Sequence, residues 1–136
     1  MDNTKLIEVL NKDRADELAA IMQYMGHHYM AKGLESPPII DMLRDIAMDE
    51  MRHAEMIAKR ITYLGGEPTT EVSEIKKGGD LKKMLNDDLD AENRAIIRYK
   101  EHIKLCDDMN DSTTRRMLEE ILSDEEGHAD KFKTIL

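Results

Sequence analysis

The 136-residue sequence predicts an all-α protein, an antiparallel four-helix bundle with one long crossover between the second and third helices. Three observations predict this fold. Proline occurs only at positions 37, 38 and 68, and glycine clusters at 65–66 and 78–79, so long stretches lack helix breakers. Between these breaks the apolar residues recur with helical periodicity. Tryptophan is absent and only 4% of residues are aromatic, a composition that favours helices over sheets. We expect one domain covering residues 1–136.

The first helix is predicted over residues 4–32, with Gly33 just beyond its end. The second begins after Ser36 as N-cap, has Pro37 in its first turn, and ends at residues 65–66. On the first helix, Leu10, Glu17 and Tyr24 lie on one inner stripe, and Leu6, Ile21 and His28 lie beside it. The inner stripe of the second contains Ile39, Leu43, Ile46, Glu50, His53, Ile57, Ile61 and Leu64.

The third helix is predicted to begin after Asp80 as N-cap, and the fourth near Asp111 or Ser112. The inner stripe of the third helix contains Leu85, Leu89, Glu92, Ile96, Tyr99, Ile103 and Cys106. The inner stripe of the fourth contains Met117, Ile121, Glu125, His128, Phe132 and Ile135.

The lengths of the links between helices predict the topology. The first and third links are short, which makes the helices that they join antiparallel neighbours. The middle link, residues 66–79, is ~14 residues long and spans at most ~46–50 Å when extended. A helix of ~28 residues is ~42 Å long. The link can therefore run the length of the bundle, and an up-down bundle with a long loop is the alternative.

Each predicted helix has one glutamate on its inner stripe near its midpoint: Glu17, Glu50, Glu92 and Glu125. A buried carboxylate is costly unless it is paired or binds a metal. The four also form a repeat, because the first and third each precede a tyrosine by seven residues and the next glutamate by thirty-three. The phrases DEMRHAE (49–55) and DEEGHAD (124–130) each contain E-x-x-H. Two such hairpins, related by a pseudo-twofold axis, bring four Glu and two His to one level of the core.

The E-x-x-H spacing places a carboxylate and an imidazole on one helix face, since residues three apart are neighbours there. Two such pairs and two further glutamates give each of two metal ions one His and one terminal Glu, and leave two Glu to bridge. Four carboxylates match the charge of two divalent cations. This ligation suits iron or manganese, as in the di-iron carboxylate bundles. The predicted ligands are Glu17, Glu50, His53, Glu92, Glu125 and His128.

The composition argues against several other classes of protein. The net charge of −9 argues against a nucleic-acid partner and suits a protein that attracts cations. The single cysteine, Cys106, excludes an intrachain disulfide and a Cys-based metal site, and we expect it to be a small buried residue. The sequence has no apolar run long enough for a membrane span, and its N-terminus does not resemble a signal peptide. We therefore expect a cytoplasmic protein.

At these motifs the sequence resembles bacterioferritin and its relatives in the ferritin-like superfamily, over nearly the whole chain. LNKDRADELAAIMQY (10–24) is similar to the first helix of that family, and the two E-x-x-H phrases are similar to its second and fourth helices. The resemblance implies a ferritin-like bundle with a dinuclear iron centre that oxidises Fe(II) with O2 or H2O2 and leads to stored ferric mineral. It implies as ligands Glu17, Glu50 (bridging), His53, Glu92, Glu125 and His128, with Tyr24 close by.

The sequence departs from bacterioferritin because it stops at Leu136, eight residues after His128, without the family's short fifth helix. That helix helps to build the 24-subunit shell. We therefore expect a homo-oligomer that is at least a dimer. A twelve-subunit shell like that of Dps-like proteins, or an isolated dimer, is favoured over the larger shell.

Met51 lies where the resemblance places the methionine that ligates haem b across a subunit dimer. Successive helical residues are rotated by about 100°, so Met51 faces outward while Glu50 faces inward. An apolar dimer interface is the alternative explanation for this methionine. The other outward positions expected nearby are Arg44, Ala47, Met48 and Arg52.

Tyr24 and Tyr99 lie one heptad from a predicted ligand, so we expect each to hydrogen-bond a ligand carboxylate or to donate an electron. A buried core tyrosine is the alternative, and it weighs more for Tyr99. His27, His28 and His102 lack the E-x-x-H context, and we expect them at the surface or at an interface.

Two further functions fit the same predicted site. One is a rubrerythrin-like protein that scavenges peroxide with iron as a fixed cofactor. The other is a non-catalytic, metal-stabilised structural or partner-binding bundle. The number of ferric ions taken up per chain, with excess Fe(II) and an oxidant, separates these functions from ferroxidase activity with storage.

Overall fold

The computed structural model describes residues 2–136, which form four long helices. α1 spans Thr4–Met30, α2 spans Pro37–Tyr63, α3 spans Leu81–Asp108 and α4 spans Ser112–Ile135. The predicted all-α fold is confirmed, and α1 ends two residues before the predicted position 32. Within the part of the chain that the structure describes, no helix is long and apolar enough to cross a membrane.

Of the three helix N-caps predicted from the sequence, two are confirmed by a hydrogen bond from the side chain. Asp80 and Asp111 each accept a hydrogen bond from a backbone N–H of the first turn, at 2.8 and 3.0 Å. Ser36 precedes α2, but its hydroxyl donates to the carbonyl of Gly33 at 2.8 Å instead of capping the helix. The two prolines that follow Ser36 have no N–H to donate, so the first turn offers its side chain little to accept.

The helices form two antiparallel hairpins that pack side by side. In the first hairpin, Arg14 of α1 donates to the carbonyl of Ala54 in α2, and His28 donates to that of Ile40. α1 also lies against α3, and α2 against α4. Hydrogen bonds join Glu17 of α1 to Tyr99 of α3 and Tyr24 of α1 to Glu92 of α3. Residue numbers therefore rise along α1 as they fall along α3, so these two helices are antiparallel as well.

The crossover, residues 64–80, runs along α1 from one end of the bundle to the other. It contacts α1 at Asn11, Arg14, Ala15, Gln23 and His27. The outermost of these are sixteen residues apart, about 24 Å along a helix. α3 consequently starts at the end of the bundle opposite to the end of α2. This confirms the long crossover and shows that the up-down alternative was wrong.

Two apolar clusters fill the bundle, one on each side of a layer of polar side chains. One cluster includes Leu6, Leu10, Ile57, Ile61, Tyr99, Cys106, Leu118 and Ile121. The other includes Tyr24, Ile39, Leu43, Ile46, Leu85 and Phe132. Most predicted inner positions are buried, but Ile135, the last residue of α4, is exposed. The apolar positions that are only half-buried are Ile21, Leu64, Leu89, Ile96, Ile103 and Met117.

Candidate metal centre

The polar layer between the two apolar clusters brings together all six predicted ligands. α1 and α3 supply one glutamate each, and α2 and α4 supply one glutamate and one histidine each. Each of the six residues is at most 3% exposed. They form two groups of four whose ligand atoms lie within 4.8 Å of one another, namely Glu17, Glu50, His53 and Glu125, and Glu50, Glu92, Glu125 and His128. Glu50 and Glu125 belong to both groups, which is the arrangement expected of bridging carboxylates.

Each predicted ligand presents one buried polar atom with no hydrogen-bond partner. These atoms are Glu17 Oε2, Glu50 Oε1, His53 Nδ1, Glu92 Oε2, Glu125 Oε1 and His128 Nδ1. Buried polar atoms in folded proteins are almost always satisfied, so six orphaned atoms at one point require a shared partner. The two Nδ1 atoms lie 3.2–3.6 Å from the surrounding carboxylate oxygens. The donor set of four carboxylates and two imidazoles fits two divalent ions of the iron or manganese type.

Each imidazole is held from its far side by one aspartate, and the sequence analysis did not assign these two aspartates a role. His53 Nε2 donates to Asp124 at 2.7 Å, and His128 Nε2 donates to Asp49 at 2.8 Å. Because Nε2 donates to the aspartate, Nδ1 is the ring nitrogen that faces the site, and its lone pair would bind a metal ion that displaces the Nδ1 proton. The signal was present in the sequence, because each aspartate directly precedes the glutamate of an E-x-x-H motif.

The two tyrosines contact the glutamates of α1 and α3. Tyr24 of α1 donates to Glu92 of α3 at 2.5 Å, and Tyr99 of α3 donates to Glu17 of α1 at 2.6 Å. Both tyrosines are buried. The two bonds are related by the pseudo-twofold symmetry of the bundle, and they orient the two glutamates that belong to one group each. Tyr99 therefore makes the same contact as Tyr24, although the core alternative weighs more for Tyr99 in the sequence.

The crowded carboxylates shift one another's pKa values. Burial, together with repulsion from Glu125, raises the pKa of Glu92 to about 8. Burial and three neighbouring carboxylates raise the pKa of Glu50 well above its usual range. Although burial opposes protonation of the imidazoles, hydrogen bonds and nearby glutamates raise the pKa of His53 to about 9 and that of His128 to about 11. The metal-free site consequently holds protons near neutral pH, and cations can take their place.

Comparisons with known proteins agree with this geometry. The model of the family described as "Ferritin-like domain" matches residues 7–136. The chain belongs to the ferritin-like family. It is 40% identical to the bacterioferritin of Desulfovibrio desulfuricans over 132 residues, 96% of this chain and 74% of that protein. It is 34% identical to the bacterioferritin of Brucella melitensis over 133 residues, 97% of this chain and 83% of that protein.

Two solved structures of ferritin-like proteins superpose closely on this one. The D. desulfuricans bacterioferritin, whose di-iron site was studied in different catalytic states, gives a TM-score of 0.93 at 40% identity and covers 98% of this chain and 78% of its own. A ferritin-like, di-iron-carboxylate protein of Bacillus anthracis gives 0.96 at 29% identity and covers 100% of this chain and 99% of its own. Both similarities extend over the helices that hold the six predicted ligands.

A cavity of about 590 Å³ connects this ferritin-like site with the surface between α1 and α3. Its floor includes Glu17, Glu50 and Glu92. At its side, Arg98 donates to Asp16 at 2.9 Å. The cavity therefore offers small ions a route to the buried carboxylates.

Two of the three histidines expected at the surface or an interface are buried, so that expectation was wrong for them. His27 Nδ1 lies 2.9 Å from Asp88 Oδ2, and its Nε2 donates to a carbonyl of the crossover. His102 Nδ1 lies 2.8 Å from Asp13 Oδ2. Each aspartate lies on the helix opposite its histidine, and the two pairs lie on the two sides of the metal layer. His28 is half-buried and bonds to α2 within the hairpin.

Met51 lies on the outer face formed by α1 and α2, where its side chain is 49% exposed. It borders a largely apolar depression of about 440 Å³ that also includes Leu18, Ile21 and Met22. One of the outward positions expected beside it was wrong, because Ala47 is buried. Arg52 is exposed, as expected, and it pairs with Asp124 of α4.

Proposed function

We propose that this chain is a ferroxidase that binds two iron ions at the six-residue centre, oxidises Fe(II) with O2 or H2O2, and takes part in iron storage and detoxification. The observation that carries the proposal is the set of six buried, orphaned ligand atoms at one level of the bundle. The membership of the ferritin-like family supports it, as does the di-iron site of the D. desulfuricans relative.

The assignment of ligand roles follows from which groups share which atoms. Glu50 and Glu125 belong to both groups of four and would bridge the two ions. One ion would take Glu17 and His53, and the other would take Glu92 and His128. Four carboxylates balance the charge of two divalent ions, and their hard anionic oxygens bind the higher charge of Fe(III) still more tightly.

The residues around the centre position the ligands and admit the substrates. Bound iron supplies one electron per Fe(II) to the oxidant, so a pair of ions supplies the two electrons that reduce one peroxide to water. Tyr24 and Tyr99 hold the terminal carboxylates through their hydroxyls. The negative net charge raises the local concentration of Fe(II), and the cavity between α1 and α3 leads it inward.

Replacement of a bridging ligand tests the proposal. In a Glu50→Ala variant we expect rapid Fe(II) oxidation to be abolished, with Glu126→Ala as the matched control because Glu126 is exposed on α4. The readouts are the absorbance of the ferric product and the amount of iron per chain. An oxidation rate in Glu50→Ala equal to that of the wild type would contradict the site.

The same titration separates the alternatives predicted from the sequence. Storage gives many ferric ions per chain, whereas a peroxide-scavenging protein of the rubrerythrin type keeps about two, as a di-iron site holds, and needs an external reductant. A structural bundle retains metal without turnover. Retention of two ions together with steady peroxide consumption would replace storage by scavenging.

A homo-oligomeric assembly and a haem site complete the proposal. The face formed by α1 and α2 exposes apolar side chains, including Met22, Tyr29 and Met51, which suit a twofold interface with a second copy. In such a dimer two Met51 thioethers would face each other and ligate one haem b, and the largely apolar depression beside Met51 would contact the porphyrin. We place the assembly in the cytoplasm.

Haem titration and sedimentation test these two points. Met51→Leu is expected to abolish haem binding, read from the absorption spectrum. Met48→Leu is the matched control, since Met48 lies on the same helix and is 48% exposed. Wild-type haem binding by Met51→Leu would contradict the haem site, and a monomer at micromolar concentration would contradict storage in a shell.

A further inference from the structure

Arg52 joins the two aspartates that support the histidine ligands. Its Nη1 donates to Asp49 Oδ1 at 3.1 Å, within α2, and its Nη2 donates to Asp124 Oδ2 at 2.8 Å, across to α4. The same two carboxylates accept the Nε2 protons of His128 and His53 at 2.8 and 2.7 Å. A single guanidinium is therefore linked to both imidazoles of the centre, through one aspartate in each case.

The arrangement is symmetric except for the arginine itself. Equivalent positions in the two halves of the chain are 75 residues apart, as for Asp49 and Asp124. The position equivalent to Arg52 is Gly127, which has no side chain. A single arginine thus serves both halves of a site that is otherwise built twice.

The two aspartates need such support because they lie at the edge of the bundle. Their side chains are 36% and 39% exposed, so water competes for both carboxylates. A rigid, planar guanidinium with two donors restricts two carboxylates at once. Residues that hold a metal-ligating histidine from its far side set the ring's orientation and its tautomer.

We propose that Arg52 is a positioning residue of the metal centre, which acts through Asp49 and Asp124 to keep both histidine Nδ1 atoms directed at the ions. The inference rests on the proposed function, because it presupposes metal at the six-residue site. It makes a prediction whose sign differs from that of simple electrostatics. Removal of a positive charge near a cation site should tighten cation binding, whereas the loss of a positioning residue should weaken it.

The test compares Arg52→Met with Arg52→Lys, with Arg44→Met as the control for an exposed arginine on the same helix. Co(II) is titrated into the metal-free protein without oxygen, and its visible absorption bands report the ligand geometry. Arg52→Met is expected to bind Co(II) about tenfold more weakly with altered bands, in line with supporting residues of metal sites. Arg52→Lys should recover part of that affinity, and Arg44→Met should behave like the wild type.

A second readout does not depend on metal. Nitrogen NMR of the metal-free protein reports the Nε2–H hydrogen bonds of His53 to Asp124 and of His128 to Asp49, and these should weaken in Arg52→Met while its helix content stays unchanged. Unchanged Nε2 signals with equal or tighter Co(II) binding would overturn the role of Arg52. A wild type that binds no Co(II) or Fe(II) would instead overturn the metal centre itself, and the inference with it.

Discussion

The metal-free protein should lose stability as the pH rises, because the folded site retains protons that the unfolded chain releases. The pKa of Glu92 is raised to about 8 from an ordinary value of 4.5. Its contribution is fully present below pH 4.5 and is lost as the pH rises through 8. The pKa values of His53 and His128 are raised to about 9 and 11, so they act in the same direction at higher pH. Although burial opposes it, hydrogen bonds with its neighbours lower the pKa of Glu125. Its contribution to stability is therefore lost as the pH falls, but only below pH 4.5.

The magnitude follows from the number of protons involved. A group that is protonated in the folded state and ionised in the unfolded state costs about 1.4 kcal/mol of stability per pH unit. Between pH 5.5 and 7.5 the retained proton of Glu92 alone therefore removes at most about 2.7 kcal/mol. For a domain of this size that loss lowers the melting temperature by ~8 °C.

Bound metal should reverse this trend. Divalent ions displace the protons, so binding tightens as the pH rises. With both ions at a hundredfold excess over their dissociation constants, the folded state gains about 2.7 kcal/mol per ion. The assay is thermal unfolding followed by circular dichroism without oxygen, with and without Fe(II), across this pH range. A metal-free melting temperature that stays constant or rises with pH would refute the reasoning, as would one that Fe(II) does not change.

Three further substitutions test other parts of the structure. Tyr24→Phe removes the hydroxyl that holds Glu92, and it should slow Fe(II) oxidation in stopped-flow measurements while the metal still binds. Asp88→Asn removes the buried carboxylate that bonds to His27 and Gln23, and it should cost about 1–3 kcal/mol in guanidinium unfolding. Asp111→Ala removes the α4 cap and should cost about 1 kcal/mol. Because the pKa of Asp111 is lowered in the folded state, this difference should be present at neutral pH and vanish as the pH falls through that pKa.

Each of these substitutions has its own control. Tyr29→Phe alters an exposed tyrosine on the same helix as Tyr24, and Asp90→Asn alters an exposed aspartate on the same helix as Asp88. Both should behave like the wild type. If Tyr24→Phe oxidises Fe(II) at the wild-type rate, or if Asp88→Asn is no less stable than Asp90→Asn, the role inferred for that contact is wrong. For Asp111→Ala the control is the pH series itself, and a difference that persists at low pH would count against the cap.

The helices and the level of the metal layer could be predicted from the sequence because both depend on local spacing. A period of 3.6 residues fixes which side chains share a face, and the repeated E-x-x-H places Glu50 with His53 and Glu125 with His128 on such faces. The long crossover was also predictable, since its reach matches the length of a helix. The role of the six residues as ligands remains a prediction for the metal titrations.

The partners of the polar residues were decided only by the tertiary structure. His27 and His102 were expected at the surface or an interface, yet each is buried against an aspartate from the opposite helix. Arg52 faces outward, as expected, but its bond to Asp124 of α4 was not predicted. A polar residue on a helix can face water or a partner, and its spacing within that helix is the same in both cases. The choice depends on what the neighbouring helix places opposite it, and only the packing of α1 on α3 and of α2 on α4 supplies those partners.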